Sequence, residues 1–147
     1  MRILIVHGPN MNLLGRREPD LYGTTTLSEL NDWLQKEAAV LGVTVETIQS
    51  NHEGVLVDKL NDAMGQVDGL IINAAGLTYS SVSIRDAISA LAVPTIEVHI
   101  TNLARREAFR RHSLLADVVM GQICGLGPVG YVLALRGLVA VIREAKN

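Results

Sequence analysis

Short apolar runs alternate with amphipathic stretches along the whole chain, and the alternation predicts the elements. Ile3–His7 reads as a first buried strand. Thr26 followed by Glu29 has the spacing of a capping box, and Leu27, Leu30, Leu34, Ala38 and Leu41 then recur on one helical face before Gly42 ends the helix. Val43–Gln49 is a second strand. Ser50 and Glu53 repeat the capping spacing ahead of a helix to about Met64. Leu70–Asn73 is a third strand, Ser81–Leu91 a third helix, and Thr95–His99 a fourth strand after Pro94. A short helix near Arg105–His112 leads to a fifth strand around Val118–Ile123, and a last helix runs from about Val129 to Ala145.

Strands interleaved with helices imply an α/β fold, a parallel sheet covered on both faces. Right-handed crossovers then favour the flavodoxin-like three-layer sandwich, a five-stranded parallel sheet of order 2-1-3-4-5. Its 147 residues suit one domain, 1–147. In such a sheet a ligand is expected beyond the carboxyl ends of the strands, near the switch between strands 1 and 3. The last helix adds a second expectation. Tyr131, Val132, Leu133, Ala134, Leu135, Leu138, Val139, Ala140, Val141 and Ile142 make it apolar around most of its circumference. Such a helix needs cover on more than one side, which predicts a homo-oligomer.

Composition narrows the partners. A formal charge of -2 gives no reason to expect nucleic acid. Arg105, Arg106, Arg110 and Arg111 cluster around Glu107, and a solvated helical face explains them as well as a binding role does. The single cysteine, Cys124, excludes a disulfide within the chain and argues against a cysteine-based zinc site, a pattern suited to the cytoplasm; the residue itself reads as packed core at the end of strand 5. Residues 1–7 are too short an apolar run for a signal peptide. The uncharged stretch from Val118 to Leu135 is broken by Gly121, Gly125, Gly127, Pro128 and Gly130, so no membrane span is expected.

Polar chemistry collects just past the strand ends. After strand 1 runs a long segment from His7 to Gly23 containing Asn10, Arg16, Arg17 and Tyr22; after strand 3 come Asn73 to Ser81; after strand 4 come His99, Ile100, Thr101 and Asn102. The three lysines, Lys36, Lys59 and Lys146, sit on helices or at the terminus, so no amine is placed for a Schiff base. His7 and His99 are candidate metal ligands, although histidines at strand ends commonly only form hydrogen bonds. What remains suits acid–base chemistry. A free phenol has a pKa of about 10, and a neighbouring arginine stabilises its anion. Arg16 and Arg17 lie close to Tyr22, with Pro19 and Gly23 shaping a non-helical loop and Gly15 and Gly23 as hinges of a lid. Spacing alone leaves open whether Tyr22 reacts or merely packs its ring.

Other readings compete. Gly125-Leu126-Gly127-Pro128-Val129-Gly130 fits G-x-G-x-x-G, but no further strand with an acidic residue follows, so it reads as a tight turn. Gly23-Thr24-Thr25-Thr26 at a helix start could hold a phosphate in a non-catalytic flavodoxin-like module. Scarce aromatic residues argue against flavin. Asn10 and Asn73, where a phospho-receiver would want carboxylates, argue against signalling.

Taken together, several ordered blocks resemble the type II 3-dehydroquinate dehydratases. They are His7-Gly8-Pro9-Asn10 through Tyr22-Gly23, Gln49-Ser50-Asn51-His52-Glu53-Gly54, Ser81 to Ala87, Ile96-Glu97-Val98-His99-Ile100-Thr101-Asn102, Arg106 to Arg110, and Gly125-Leu126-Gly127. The resemblance implies dehydration of 3-dehydroquinate to 3-dehydroshikimate without a cofactor or metal. It implies Tyr22 as the base, Arg17 as the cation that keeps it ionised, and Asn10 holding a water on the enolate. By the same resemblance His99 protonates the departing hydroxyl, and Ile100 and Thr101 offer backbone N–H groups to the carboxylate. Asn73 and Arg110 would bind ring hydroxyls, Asp86 would reach a site in or near the adjacent subunit, and a dodecamer built from trimers is implied. One position departs: Tyr79 stands where the family usually has a histidine that contacts substrate hydroxyls. That replacement predicts altered affinity and leaves room for a related ring acid.

Overall fold

A computed structural model describes residues 1–147. Five parallel strands form its centre: β1 (Arg2–His7), β2 (Thr44–Gln49), β3 (Gly69–Asn73), β4 (Thr95–His99) and β5 (Gly121–Cys124). Their order is β2-β1-β3-β4-β5, as the alternation of elements predicts. The helices are α1 (Pro19–Tyr22), α2 (Leu27–Leu41), α3 (Glu53–Asp62), α4 (Val82–Leu91) and α5 (Val129–Ala145).

Period-two alternation sorts the core into two layers. On one face, Ile3, Ile5, Ile71, Ile96 and Val98 pack against Leu30 and Leu34 of α2 and Tyr131, Leu135 and Leu138 of α5. On the other, Leu4, Val6, Leu70 and Ile72 meet Leu56 and Leu60 of α3 and Ile84, Ile88 and Leu91 of α4. Much of the apolar girth of α5 is therefore covered inside the chain, by the sheet and by α2, while Val129, Leu133 and Val141 stay exposed. No helix is long and apolar enough to cross a membrane.

Capping explains where the helices begin. Thr26 and Glu29 close the expected box: the Glu29 N–H donates to Thr26 Oγ1 (3.2 Å) and the Thr26 N–H to Glu29 Oε2 (2.8 Å). The second expected box does not form. Ser50 instead accepts from the His52 N–H (3.0 Å), and the Glu53 carboxylate is taken by the Ser81 hydroxyl, which itself caps α4 through the Ile84 N–H. Glu53 thus ties the start of α3 to the start of α4, and α3 ends at Asp62.

Three other expectations need correction. The segment before Gly23 is not wholly irregular, because Pro19 with its fixed φ opens the single turn α1. Arg105–His112 is not one helix but two 3₁₀ turns, Leu103–Arg105 and Ala108–Arg110, separated by Arg106 in an extended conformation (φ -101°, ψ -171°). Cys124 is exposed, because β5 is the edge strand, starts three residues later than its apolar run, and turns alternate positions to solvent.

The switch point is tight. The Gly8 N–H donates to the Asn73 carbonyl (2.7 Å), and a Cβ at Gly8 would lie 2.4 Å from the Ala74 carbonyl oxygen. Only glycine lets the chain leaving β1 cross the chain leaving β3 this closely. The Gly125–Gly130 segment is a tight turn as expected: Gly125 and Gly127 have φ of 87° and 61° and donate to the His99 and Ile100 carbonyls.

Candidate active site

The loops after β1, β3 and β4 converge on one cavity of about 140 Å³. Pro9, Asn10, Met11, Leu14, Arg17 and Tyr22 line it from the first loop, Asn73, Ala75, Gly76 and Tyr79 from the second, and His99 to Thr101, Leu103, Arg106 and Arg110 from the third. The volume lies below the usual range for drug-sized ligands, which suits a small ring and not a dinucleotide. Of the residues the sequence nominates, Asn10, Arg17, Tyr22, Asn73, Tyr79, His99, Ile100, Thr101 and Arg110 meet here. Asp86 does not; it is exposed on α4.

Tyr22 sits at the end of α1, where Glu18 and Gly23 both take positive φ (42° and 82°) to turn the chain in and out. Its phenol oxygen accepts a hydrogen bond from Arg106 Nη1 (2.8 Å), and the same guanidinium donates to Thr101 Oγ1 (3.2 Å). The guanidinium carbons of Arg17 and Arg106 lie 5.5 and 5.3 Å from the ring centroid. Arg17 also pairs with Glu18 (3.4 Å) and is 41% exposed, whereas the Arg106 side chain is only 11% exposed. Arg106 is thus the direct partner of the phenol oxygen. Sequence reasoning missed it, because its place depends on the extended break between the two 3₁₀ turns.

His99 closes β4 on the opposite wall. Its Nε2 lies 2.6 Å from the Glu97 carboxylate, and both side chains are buried. Ser113 and Gln122 each donate to Glu97 at 2.8 Å. Burial alone would raise the Glu97 carboxyl, but hydrogen bonds from His99, Ser113 and Gln122 outweigh it and hold the group below its ordinary range. An anionic Glu97 takes the Nε2 proton and leaves Nδ1 as the imidazole nitrogen it does not engage. A signal for this pair exists in the chain: a carboxylate two residues before a histidine on a strand shares its face.

The remaining polar groups surround these two. Tyr79 lies near-parallel to His99 (6.5 Å, 24°), edge-on to Phe109 and beneath Arg110 (5.8 Å). Partial burial pushes its phenol up despite the pull of Arg110, so it is a neutral hydroxyl near pH 7. Arg110 is held by Glu107 (2.8 Å). The backbone N–H groups of Ile100 and Thr101 carry no hydrogen bond within the chain. Asn10 takes a left-handed conformation (φ 68°), fixed by its N–H donating to Asn51 Oδ1 (2.9 Å). No group of three or more His, Cys, Asp or Glu side chains is placed to hold a metal ion.

A phenol and an imidazole facing one small cavity, ringed by three guanidinium groups, define an α/β protein with an acid–base site for a polar anion. The chain belongs to the family described as Dehydroquinase class II, whose sequence pattern matches residues 1–139. It is 53% identical over 143 residues to the 3-dehydroquinate dehydratase of Nostoc sp., covering 97% of each chain. With the 3-dehydroquinate dehydratase of Campylobacter jejuni it shares 50% identity over 147 residues, all of this chain and 92% of the relative. Among solved structures, the type II dehydroquinase of Butyrivibrio crossotus superposes with a TM-score of 0.92 at 40% identity, covering 94% of this chain and 97% of that one.

Proposed function

We propose that this chain dehydrates 3-dehydroquinate to 3-dehydroshikimate, with the cavity described above as its active site. The arrangement that supports this most directly is the Tyr22 phenol, held by Arg106 and flanked by Arg17, across one cavity from the Glu97-backed His99. Tyr22, as phenolate, takes a proton from the carbon beside the ring ketone. The electron pair moves onto the ketone oxygen as an enolate, which a water held at Asn10 stabilises. Collapse of the enolate expels the ring hydroxyl; His99 supplies a proton from Nδ1 while Glu97 keeps the imidazolium oriented. The hydroxyl leaves as water; Tyr22 then gives its proton to solvent and His99 takes one back, which restores both groups.

Binding follows from the same walls. The free N–H groups of Ile100 and Thr101 receive the substrate carboxylate. Asn73, Tyr79 and Arg110 hold ring hydroxyls. Asp86, on the exposed side of α4, serves the site of a neighbouring subunit, and Val129, Leu133 and Val141 remain as apolar contacts for assembly into a homo-oligomer, a dodecamer of trimers, in the cytoplasm. The chemistry proposed calls on side chains, two backbone N–H groups and one water.

Purified protein mixed with 3-dehydroquinate should produce the ultraviolet absorbance of a conjugated enone, equally fast with and without a chelator. No absorbance change rejects the reaction, and loss of rate with chelator rejects the cofactor-free mechanism.

A further inference from the structure

Gln49 and Asn51, at and just past the end of β2, have no place in the proposed chemistry, yet both hydrogen-bond the loop that has one. In that loop the Met11 N–H donates to the Gly8 carbonyl (3.3 Å), which closes a β-turn over Gly8-Pro9-Asn10-Met11. Pro9 takes the second position, where the fixed φ of proline suits types I and II alike. The third position decides between them. Asn10 has φ 68° and ψ -2°, the type II form. Type II favours glycine there, whereas type I accepts most residues at negative φ. The two forms differ by a half-turn of one peptide plane, the one joining Pro9 to Asn10, and the flanking chain stays in place. That plane carries the Asn10 N–H.

The Asn10 N–H donates to Asn51 Oδ1 (2.9 Å). A backbone N–H only donates, so the Asn51 amide must turn its oxygen toward the turn. Gln49 Nε2 donates to the same oxygen (3.1 Å) and to the Gly8 carbonyl (3.2 Å), which ties Asn51 to the first residue of the turn. Gln49 is the register partner of His7, the residue before the turn, so the pairing of β1 with β2 brings the clamp to its place. In the type I form the Asn10 N–H points the opposite way and loses this acceptor. The bond therefore favours type II, and with it the direction in which the Asn10 side chain leaves the backbone at the cavity wall. We infer that Asn51, supported by Gln49, is a positioning residue: it holds the turn in its type II form so that Asn10 presents its amide to the water on the enolate. Neither residue lines the cavity. The inference rests on the proposed reaction for the role of Asn10.

Kinetics and one crystal structure test this. Asn51→Leu keeps the size of the side chain and removes the acceptor. It should lower kcat about five- to tenfold and change KM less than about twofold, because the enolate forms only after binding. Asn51→Asp keeps the oxygen and should recover kcat to within about twofold of the parent. Asn10→Gly removes the amide yet suits the type II turn, and on that background Asn51→Leu should change kcat less than about twofold. An equal loss with and without the Asn10 side chain overturns the inference, as does an equal loss in Asn51→Asp and Asn51→Leu, or a loss confined to KM. Gln49→Leu removes only the support and should cost less than Asn51→Leu; the reverse order overturns the assignment of Asn51 as the clamp. A crystal structure of Asn51→Leu reads the turn without an assay. The peptide between Pro9 and Asn10 should be flipped, wholly or in part, with Asn10 at negative φ, and a turn unchanged from the parent rejects this inference alone. Absence of turnover in the unaltered protein rejects the proposed reaction and the role of Asn10 in it, while the same crystal structure still decides whether Asn51 sets the turn.

Discussion

The two walls of the cavity are built on opposite principles. The His99 wall is the end of a central strand: Glu97 and His99 are buried, and three side chains saturate the carboxylate. The Tyr22 wall is a turn of four residues standing on positive-φ positions, with no buried residue of its own. Its phenol is held chiefly from outside, by Arg106 of a different loop. The proposed acid is thus prebuilt by the fold, whereas the proposed base depends on a loop docking correctly. Elements with few buried contacts open at low cost, so of the two walls the Tyr22 side is the one expected to open first.

The strongest attack on this contrast removes the reacting group and leaves both walls standing. Tyr22→Phe should lower turnover about 10³-fold, the contribution typical of a positioned base. Because α1 has no buried residue, the thermal unfolding midpoint should stay within about 2 °C of the parent. A residual rate above a few per cent would move the base elsewhere.

Glu97→Gln probes the prebuilt wall. It keeps the shape but replaces a full anionic acceptor with an amide that cannot orient an imidazolium. Turnover should fall about 10²-fold, and here stability should fall too, by about 1–3 kcal/mol. The pH dependence has a defined sign. The folded-state carboxyl lies below its unfolded value, so its stabilisation is fully present above the ordinary carboxylate range. It is lost as pH falls through the lower folded value. Denaturant titrations should therefore show a steeper acid-side loss in the parent than in Glu97→Gln. Equal slopes would mean that Glu97 is not held as an anion.

What was legible in the chain follows the same division. Strand order, the Thr26 cap and the span Val129–Ala145 are local or periodic, and alternation and capping chemistry report such features directly. The convergence of Asn10, Tyr22 and His99 also followed, because the switch point of a doubly wound sheet is a property of topology. Arg106 and Glu97 were not nominated, for different reasons. Glu97 needed only the period of two within β4, a signal that was present in the chain. Arg106 required knowing that the chain breaks between two 3₁₀ turns and swings its guanidinium to residues 22 and 101, which no local pattern encodes. The failed cap at Ser50 has a similar origin, since the hydroxyl that claims Glu53 comes from Ser81, 28 residues on.

Comparing the two arginines at the Tyr22 wall should give a smaller, diagnostic effect. Arg106→Leu removes the donor at 2.8 Å from the phenol oxygen and should cost about 10- to 100-fold in kcat. Arg17→Leu removes a half-exposed cation that touches only the ring face, and should cost less in kcat. Parallel kinetic assays decide the order. If Arg17→Leu is the more damaging, the loop closes further over substrate than it does here and Arg17 becomes the direct partner.

Tyr79 offers the finest test, because it lines the cavity beside His99 without a place in the proposed proton transfers. It lies near-parallel to His99 on the rigid side and carries Arg110 above its ring, and the proposed mechanism gives its neutral hydroxyl no proton to transfer. Tyr79→His would shorten the reach into the cavity and substitute an imidazole that both donates and accepts. If a shorter side chain suits the ring hydroxyls of 3-dehydroquinate, KM should fall a few-fold, by about one hydrogen bond's worth at most, with kcat little changed. A rise in KM would show instead that the tyrosine is fitted to its neighbours: the edge of Phe109 and the guanidinium of Arg110 would lose their aromatic partner, and Arg110 would lose part of what holds it over the cavity. Either result moves binding without moving the chemical step, as expected of a cavity residue outside the proposed proton-transfer machinery. A matching loss in kcat would place Tyr79 in that machinery and erase the division between an acid set by the strand and a base set by the loop.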